Sequence, residues 1–436
     1  DITVNRTIAT GRIYYMGSAT KEGGIEANDW TRTNLYYMYA DLNAQKFVAR
    51  HNTPSFVKYG SGTIVETSTT MGCTRTSTPN VTFTQKGTVS RVEEISGVPT
   101  YKGTSWYSNP YPFSLELSEN TLMFANGNAV QESVYARTYS NGSWGYETYN
   151  MKNKVSNPST FKALAPFQAF AVLSKGEVPT QMTVSPKVSQ NAAQLKSASI
   201  DMTTGNVLRL NVALGKYSDE LALLLNEEGE LTQGDGDSEK MADTSAKVKI
   251  VTNKGGKSLV ISHFPSAEQL SDEGIVIPIE ISKAAISGDL VISANIDDFY
   301  YDGKIILLDN LTGEEIDLKA TEAYTCTNLD NLYAGRFSLM FENVNKEENE
   351  TQTGGTDIIS ESDKLSIGLN ENGKVCVTFF GNIDEDAEVS VYDMFGRVVC
   401  RVVVNERVNV FDIHSKGVVI VRVKNGSINK SEKVLL

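Results

Sequence analysis

The 436-residue chain has only three histidines, His51, His263 and His414, and four cysteines. This scarcity removes most familiar catalytic layouts. No histidine pair has H-x-x-x-H spacing and no G-x-S-x-G stretch occurs, so the local scaffolds for a zinc-bound water or an activated serine are missing. Cys73, Cys326, Cys376 and Cys400 include no C-x-x-C, which argues against a zinc or redox motif. Cys376 and Cys400 fall on candidate neighbouring strands and could pair; isolated, small apolar side chains are the simpler reading. No apolar run approaches the about 18 residues needed to span a bilayer as a helix, and no 3.6-residue hydrophobic period is sustained. Positive charge is also short. The net charge of −13 argues against a phosphate-seeking or anionic-membrane surface, and basic and aromatic residues do not interleave into a nucleic-acid stripe.

What is abundant points to strands. Nineteen Tyr, sixteen Phe and thirty-four Gly, with many β-branched residues, favour extended segments and tight turns. TVNRTIATGRIYYMGS reads as two strands joined across Ala9-Thr10-Gly11. Asn141-Gly142, Asn372-Gly373 and Asn425-Gly426 each separate two alternating runs; Asn-Gly accepts positive φ at both centres of a two-residue hairpin turn. Asp1 already lies inside a strand-like run, so either a targeting segment has been removed or these residues are the C-terminal part of something longer.

The chain divides by composition. Residues 1–185 carry 16 Lys+Arg against 13 Asp+Glu, and the rest 24 against 40. All three Trp and 13 of the 19 Tyr precede residue 150. We expect an all-β protein: an aromatic-rich β domain over 1–185 and a β-sandwich over 186–344, both sandwich or jelly-roll-like. A polar linker over 345–360 and a small, seven-stranded, immunoglobulin-like sandwich over 361–436 would follow. The middle domain should hold eight strands: VLRLNVAL, ELALLLN, KVKIVT, SLVISHF, IVIPIEIS, DLVISANI, KIILLDN and RFSLMFE. In the last, Val375, Val377 and Phe379 share one face, as do Val389 and Val391, and Val419, Val421 and Val423, so each strand should bury one face.

Three stretches of the last unit carry a family likeness: VSVYDMFGRVV (389–399), SKGVVIVRVKNG (415–426) and the terminal KVLL (433–436). The unit resembles the C-terminal sorting domain of proteins exported by the type IX secretion system of Bacteroidetes. The positions that match the motif are Asp393, Gly396, Arg397, Gly417 and Lys433; where many members have Tyr, this chain has Val419. Upstream, VNRTIATGRIYYMGS, VTFTQKGTV, SWYSNPYPFSL and APFQAFAVLS, then LRLNVALGKYSDELALLLNEEGELTQGDGDSEKM, IILLDNLTGEEIDL and RFSLMF, resemble regions that precede such domains in large surface proteins. The resemblance implies export across the outer membrane through the secretion machinery, display on the cell or release from it, and removal of the sorting domain within about residues 343–360. It implies no enzymatic activity.

Candidate chemistry is sparse. Asp235 and Asp237, in the acidic loop Gly234–Glu239, are a weak candidate for calcium, but the stretch lacks the full D-x-[DN]-x-[DN]-G…E loop; no other cofactor is indicated. Trp106, Tyr107, Trp144 and Tyr146, with Tyr111 and Tyr149 beside them, are the best binding candidates, because sugar rings stack on aromatic planes. The competing reading is that they fill a β core. Asn109-Pro110-Tyr111-Pro112 reads as a rigid turn. His263 and His414 sit at strand ends, where structural roles are the simpler account. The favoured expectation is a non-catalytic surface, adhesion or display module that ends in a sorting domain. Its partner would be a glycan or a surface protein; one alternative is a carbohydrate-binding surface protein built on the aromatic domain, and another is a hydrolase whose acid pair the sequence does not single out.

Overall fold

A computed structural model describes side chains for most of residues 103–175 and 206–343, for Thr183 and Val184, and for 364–436 save Glu371 and Ser415. Before residue 103 it describes essentially the backbone strands, and 185–205 and 344–363 lie outside the described residues. The protein is all-β, with one six-residue helix, Ala267–Asp272, among the described residues. It forms two compact units: Asp1–Ser140 with Trp144–Asp201, and Asn141–Ser143 with Met202–Leu436.

In the first unit, Ile2–Ile8 and Ile13–Met16 are both strands, as read, but do not form a hairpin together. The former pairs with Val81–Gly87 and the latter with Thr70–Arg75, in different sheets. A five-stranded sheet runs Ser156–Asn157, Ser143–Asn150, Ser133–Ser140, Ala169–Leu173, Thr104–Ser108. Its core gathers Tyr107, Tyr111, Tyr149, Phe161 and Phe170 among Leu and Val side chains. Tyr107, Tyr111 and Tyr149, from the aromatic-rich stretch before residue 150, therefore fill a β core, where large rings bury the most area per residue.

The second unit holds two sandwiches. All eight strands expected of the middle domain are present, from Asn206–Leu214 to Phe337–Glu342. With three short strands they make one eleven-stranded sheet. Leu210, Leu223, Ile250, Ile277, Ile292, Leu307 and Leu339, drawn from across that sheet, share one core, so the sheet folds over its own inner face. The C-terminal sandwich has the seven strands expected. Three (Leu365–Leu369, Val375–Phe379, Val408–Phe411) form one sheet, and four (Val398–Val403, Glu388–Asp393, Val418–Asn425, Ile428–Leu435) form the other. The valines predicted to face inward do so.

The turn reading needs correction, while of the two cysteine readings the simpler one holds. The Asn-Gly pairs described in this sandwich do not occupy the centres of two-residue turns. Asn425 pairs with Ile428, leaving Gly426-Ser427 at the tip, while Leu369 pairs with Val375 across a five-residue loop. In that loop Asn370 Oδ1 accepts from the Asn372 and Lys374 amides. Asn425 instead reaches sideways, accepting from the Asp384 amide and donating to the Asn382 carbonyl. Cys376 and Cys400, for their part, are free thiols on different sheets.

A second departure concerns burial. Every residue of Val375–Phe379 is buried. Val375, Val377 and Phe379 face the inner core of their own sandwich. The opposite face, Cys376 and Thr378, lies against the middle sandwich: Thr378 Oγ1 donates to Asn253 Oδ1 at 2.9 Å. The next residue, Phe380, belongs to the core of the middle sandwich and meets Phe264 edge-on at 6.2 Å. Its main chain bridges both bodies, donating to the Lys364 carbonyl and accepting from the Val276 amide, each at 2.8 Å. Gly255 and Gly256, both at positive φ, form the two-residue turn between Val248–Lys254 and Lys257–Phe264. That tip presses on Leu365–Leu369 so closely that a Cβ on Gly368 would sit 1.9 Å from the Gly255 carbonyl oxygen. Only glycine allows main chain to meet main chain at this distance.

Deep in the middle sandwich, Arg336 grips Asp309 through two hydrogen bonds, 3.0 and 2.7 Å, both side chains being essentially inaccessible. The Leu311 amide and the Tyr324 hydroxyl also donate to Asp309. Burial pushes the Asp309 carboxyl up, but the Arg336 hydrogen bonds, the Leu311 amide and the guanidinium charge outweigh it and hold it below the ordinary carboxylate range. With the folded-state value depressed, the pair stabilises above the usual carboxylate pKa of about 4 and loses that contribution as pH falls through the lower folded value. Arg336→Met should cost about 3–5 kcal/mol in urea unfolding at pH 7, because it strands a buried carboxylate. The cost should shrink as pH falls through the carboxylate range, because protonating the stranded Asp309 removes the buried charge; a loss under about 1 kcal/mol at pH 7 would refute the assignment.

Candidate functional site

The three stretches that carry the family likeness are separated in sequence, and the four-stranded sheet gathers them. Asp393 is aligned with Val419, and Val418 with Leu435. The turn after Asp393, the glycine before Val418 and the final residues of the chain therefore meet at one end of the sheet. Gly417 and Leu436 exchange backbone hydrogen bonds there. Lys433 lies one step inward, opposite Ile420. Val419, at the position where family members often carry Tyr, is buried in the core.

Asp393 builds the turn. Its Oδ1 accepts from the amides of Phe395 and Arg397, both at 2.9 Å, and its Oδ2 from Arg397 Nε at 2.7 Å. Gly396 takes φ +78°, the conformation such a reversal needs after an Asx-type start. The turn holds Met394 and Phe395 outward, 73% and 77% exposed. The Arg397 guanidinium lies 5.5 Å from the Phe395 ring centroid. Val418 and Leu435 are exposed at the same end. The result is a set of exposed apolar side chains at one end of the sheet, with Arg397 against Phe395. Isolated exposed apolar residues need no explanation; several at one sheet end are a feature that does.

Sequence reasoning missed the neighbouring strand. Val398–Val403 is an outer strand of this sheet, and Val398, Val399, Val402 and Val403 are exposed. A run as apolar as VVCRVV reads as an interior strand; here the opposing three-stranded sheet is too narrow to cover it. Arg401, with Nε 3.4 Å from Glu388 Oε1 and 3.2 Å from Ser390 Oγ, is its one charged side chain.

The other candidates come apart on inspection. Trp106 and Tyr107 are 7% and 2% exposed, so they cannot serve as a surface platform for a sugar; this corrects the expectation. Trp144 and Tyr146 are half-buried, and Arg137 lies 5.3 and 5.4 Å from their ring centroids, donating to the Tyr146 hydroxyl at 3.1 Å. Asn109 proves to be the hub of its turn. Its side-chain amide donates to the carbonyls of Phe113, Leu164 and Ala165, and its oxygen accepts from the Tyr111 amide.

In the acidic loop, Asp235 is half-buried and Asp237 is buried. Lys254 Nζ stands 3.0 Å from Asp237 Oδ1, while Ser262 Oγ and the His263 and Gly234 amides also donate to that carboxylate. The ammonium fills the place a cation would take. No group of three or more His, Cys, Asp or Glu suited to a metal occurs among the described residues. Lys254 is fully buried and also donates to the His263 carbonyl at 2.6 Å; burial lowers its pKa despite the Asp237 charge.

His263 Nε2 is 2.6 Å from Asn226 Oδ1, and His414 lies exposed near Asp412. The side chain of His51 lies outside the described residues. A groove of about 570 Å³ runs between the two sandwiches of the second unit, with Lys257, Gly368, Asn370 and Lys433 in its lining.

No helix among the described residues is long and apolar enough to cross a membrane. No protein-family model matches the chain, and no curated protein matches it. Among solved structures, a biofilm-associated protein BSP domain aligns with the whole chain and 95% of its own length, at 8% identity and a TM-score of 0.18. Similarity that slight supports no argument about fold or role.

The geometry at Asp393 makes a direct prediction. The Arg397 amide, with further help from the Arg397 side chain and the Phe395 amide, holds this carboxyl below its ordinary range. Carbon-detected NMR should show Asp393 titrating below the usual value of about 3.9. The turn keeps its contribution above that pH and loses it as pH falls through the depressed value. An ordinary or raised midpoint would show that the turn is not held this way.

Proposed function

We propose that the chain is a secreted or surface-displayed β protein with no catalysis of its own. In this reading, the end of the C-terminal sandwich around Asp393 is what a type IX secretion machinery recognises. The observation that carries it is the convergence, at one exposed end of one sheet, of Asp393, Gly396 and Arg397 with Gly417 and the strand bearing Lys433. An internal structural role would not call for two large apolar side chains held in water on a turn that tight. Export is followed by display or release, and the first two domains provide the surface that meets a partner. No observation favours the glycan reading, since two of its four aromatics are buried and Arg137 lies against the other two. None singles out an acid pair for hydrolysis.

Removal of everything after Glu342 is the obvious test, but a poor one here. It would strip Phe380 from the core of the middle sandwich and confound export with misfolding. The cleaner variant is Met394→Ser with Phe395→Ser, which touches only exposed side chains. In a bacterium that has the type IX machinery, the wild-type chain behind an export signal should reach the surface or medium. The double variant, with an unchanged circular dichroism spectrum and thermal midpoint, should accumulate inside the cell by roughly tenfold or more, the loss expected when a central apolar contact is removed. Normal export of the double variant would defeat the proposal.

A further inference from the structure

We propose that the C-terminal sandwich is a lasting partner of the middle sandwich, and that the two stay bound when the chain between them is cut. The seam has the features of an interface that holds without a tether. At its centre a large ring, Phe380, is fully buried in the core of the other body, edge-on to Phe264. A buried aromatic anchor of this kind dominates binding energy where the surroundings exclude water. Around it, the Phe380 carbonyl accepts from the Val276 amide and Thr378 Oγ1 donates to Asn253 Oδ1. Asn253 Oδ1 also accepts from the Gly256 amide, which fixes the hairpin tip it belongs to.

Shape is matched by composition. Gly255 and Gly256 meet the strand Leu365–Leu369, with Gly368 facing Gly255 and the main chain of Leu369 and Asn370 facing Gly256. At a second point, Gly335 of the middle sandwich lies against Arg407 and Val408. The tip itself is stiffened from behind. Lys254, the residue before Gly255, is tied to Asp237 and packs 4.2 Å from the Phe264 ring centroid. Asp237, Lys254, Phe264 and Phe380 thus form one continuous stack from the loop of one sandwich to the strand end of the other.

The consequence concerns any protease that acts in residues 345–360. While the chain is intact, that segment keeps the two bodies at high effective concentration. After the cut only the seam remains, and its buried, preformed surfaces cost little to order on rebinding. Scission would then leave a two-piece particle that still carries the Asp393 end, rather than a middle sandwich with a bare apolar scar around Phe264. The inference rests on the seam alone and does not need the export reading.

To test it, a specific protease site is inserted between Gly354 and Gly355 of the full chain, and the purified protein is cut to completion. Native mass spectrometry and size exclusion at micromolar concentration should show both pieces travelling together at the intact mass. Pieces that separate would overturn the inference, whatever the protein does in export. Phe380→Ala should weaken the cut complex by about 100-fold or more, as expected for loss of a buried aromatic. Because that variant also opens a core, Gly368→Val provides the independent case: valine suits a strand, so the sandwich should keep its fold while its Cβ wedges the seam. A cut Gly368→Val protein that holds together as tightly as wild type would contradict the seam. Cys376 reports on the same surface. It is fully buried, and burial, with the Glu280 charge added, pushes its thiol up to about 12. In cut wild-type protein at pH 8 it should resist alkylation, while in cut Phe380→Ala it should react, each read by peptide mass spectrometry. Rapid labelling of Cys376 in the uncut wild type would show an open seam and refute the proposal.

Discussion

The second unit depends on a strand buried on both of its faces. In an ordinary sandwich, a strand gives one face to the core and the other to water. Val375–Phe379 gives Val375, Val377 and Phe379 to its own core and lays Cys376 and Thr378 against the middle sandwich, and Phe380 then enters that sandwich's core. From this arrangement follow the glycines at the hairpin tip, the inaccessibility of the Cys376 thiol and the unsuitability of a simple truncation. It also sets the orientation of the C-terminal sandwich within this unit. The three-stranded sheet packs against the middle sandwich, the final strand of the four-stranded sheet borders the groove between them, and the turn after Asp393 stands exposed.

Buried charge supports the arrangement without forming a reactive centre. Arg336 with Asp309, and Lys254 with Asp237, are ion pairs in which every partner is held by further hydrogen bonds. Buried pairs of this kind are weak evidence of stability on their own, since desolvation opposes the Coulomb gain. Their effect here is positional. Lys254 fixes the strand that ends in Gly255-Gly256, and so fixes where the tip meets its neighbour.

The fold was legible in the sequence where alternation or punctuation was strong. The eight strands of the middle domain follow from short apolar runs punctuated by Gly, Asp and Asn, and the inward valines of the last domain from period-two patterning. The seam was also written there, though in a form easily misread. VCVTFF is an almost unbroken apolar run, the signature of a strand covered on both sides. Cys and Thr at the alternate positions made it resemble a half-exposed strand. Gly368 and Gly255 carried no local signal of their purpose, because their partners lie more than a hundred residues apart in sequence. The acidic loop suggested calcium because the lysine that neutralises Asp237 lies on another strand. Among the aromatics, Trp106 and Tyr107 looked like a platform because composition cannot distinguish a core ring from a surface one. The residues of the family likeness were visible in the sequence, but their meeting at one sheet end follows only from the register of the Glu388–Asp393, Val418–Asn425 and Ile428–Leu435 strands.

The most direct measurement of the central claim is hydrogen exchange at the Val276 amide in the intact protein. That amide donates to the Phe380 carbonyl across the seam. It should therefore exchange as slowly as amides in the middle of the neighbouring core strands, such as Ile279 and Ile250, which open only when the unit unfolds. Exchange several orders of magnitude faster than those core amides, at the rate of a solvent-facing strand end, would mean that the two sandwiches do not share a seam.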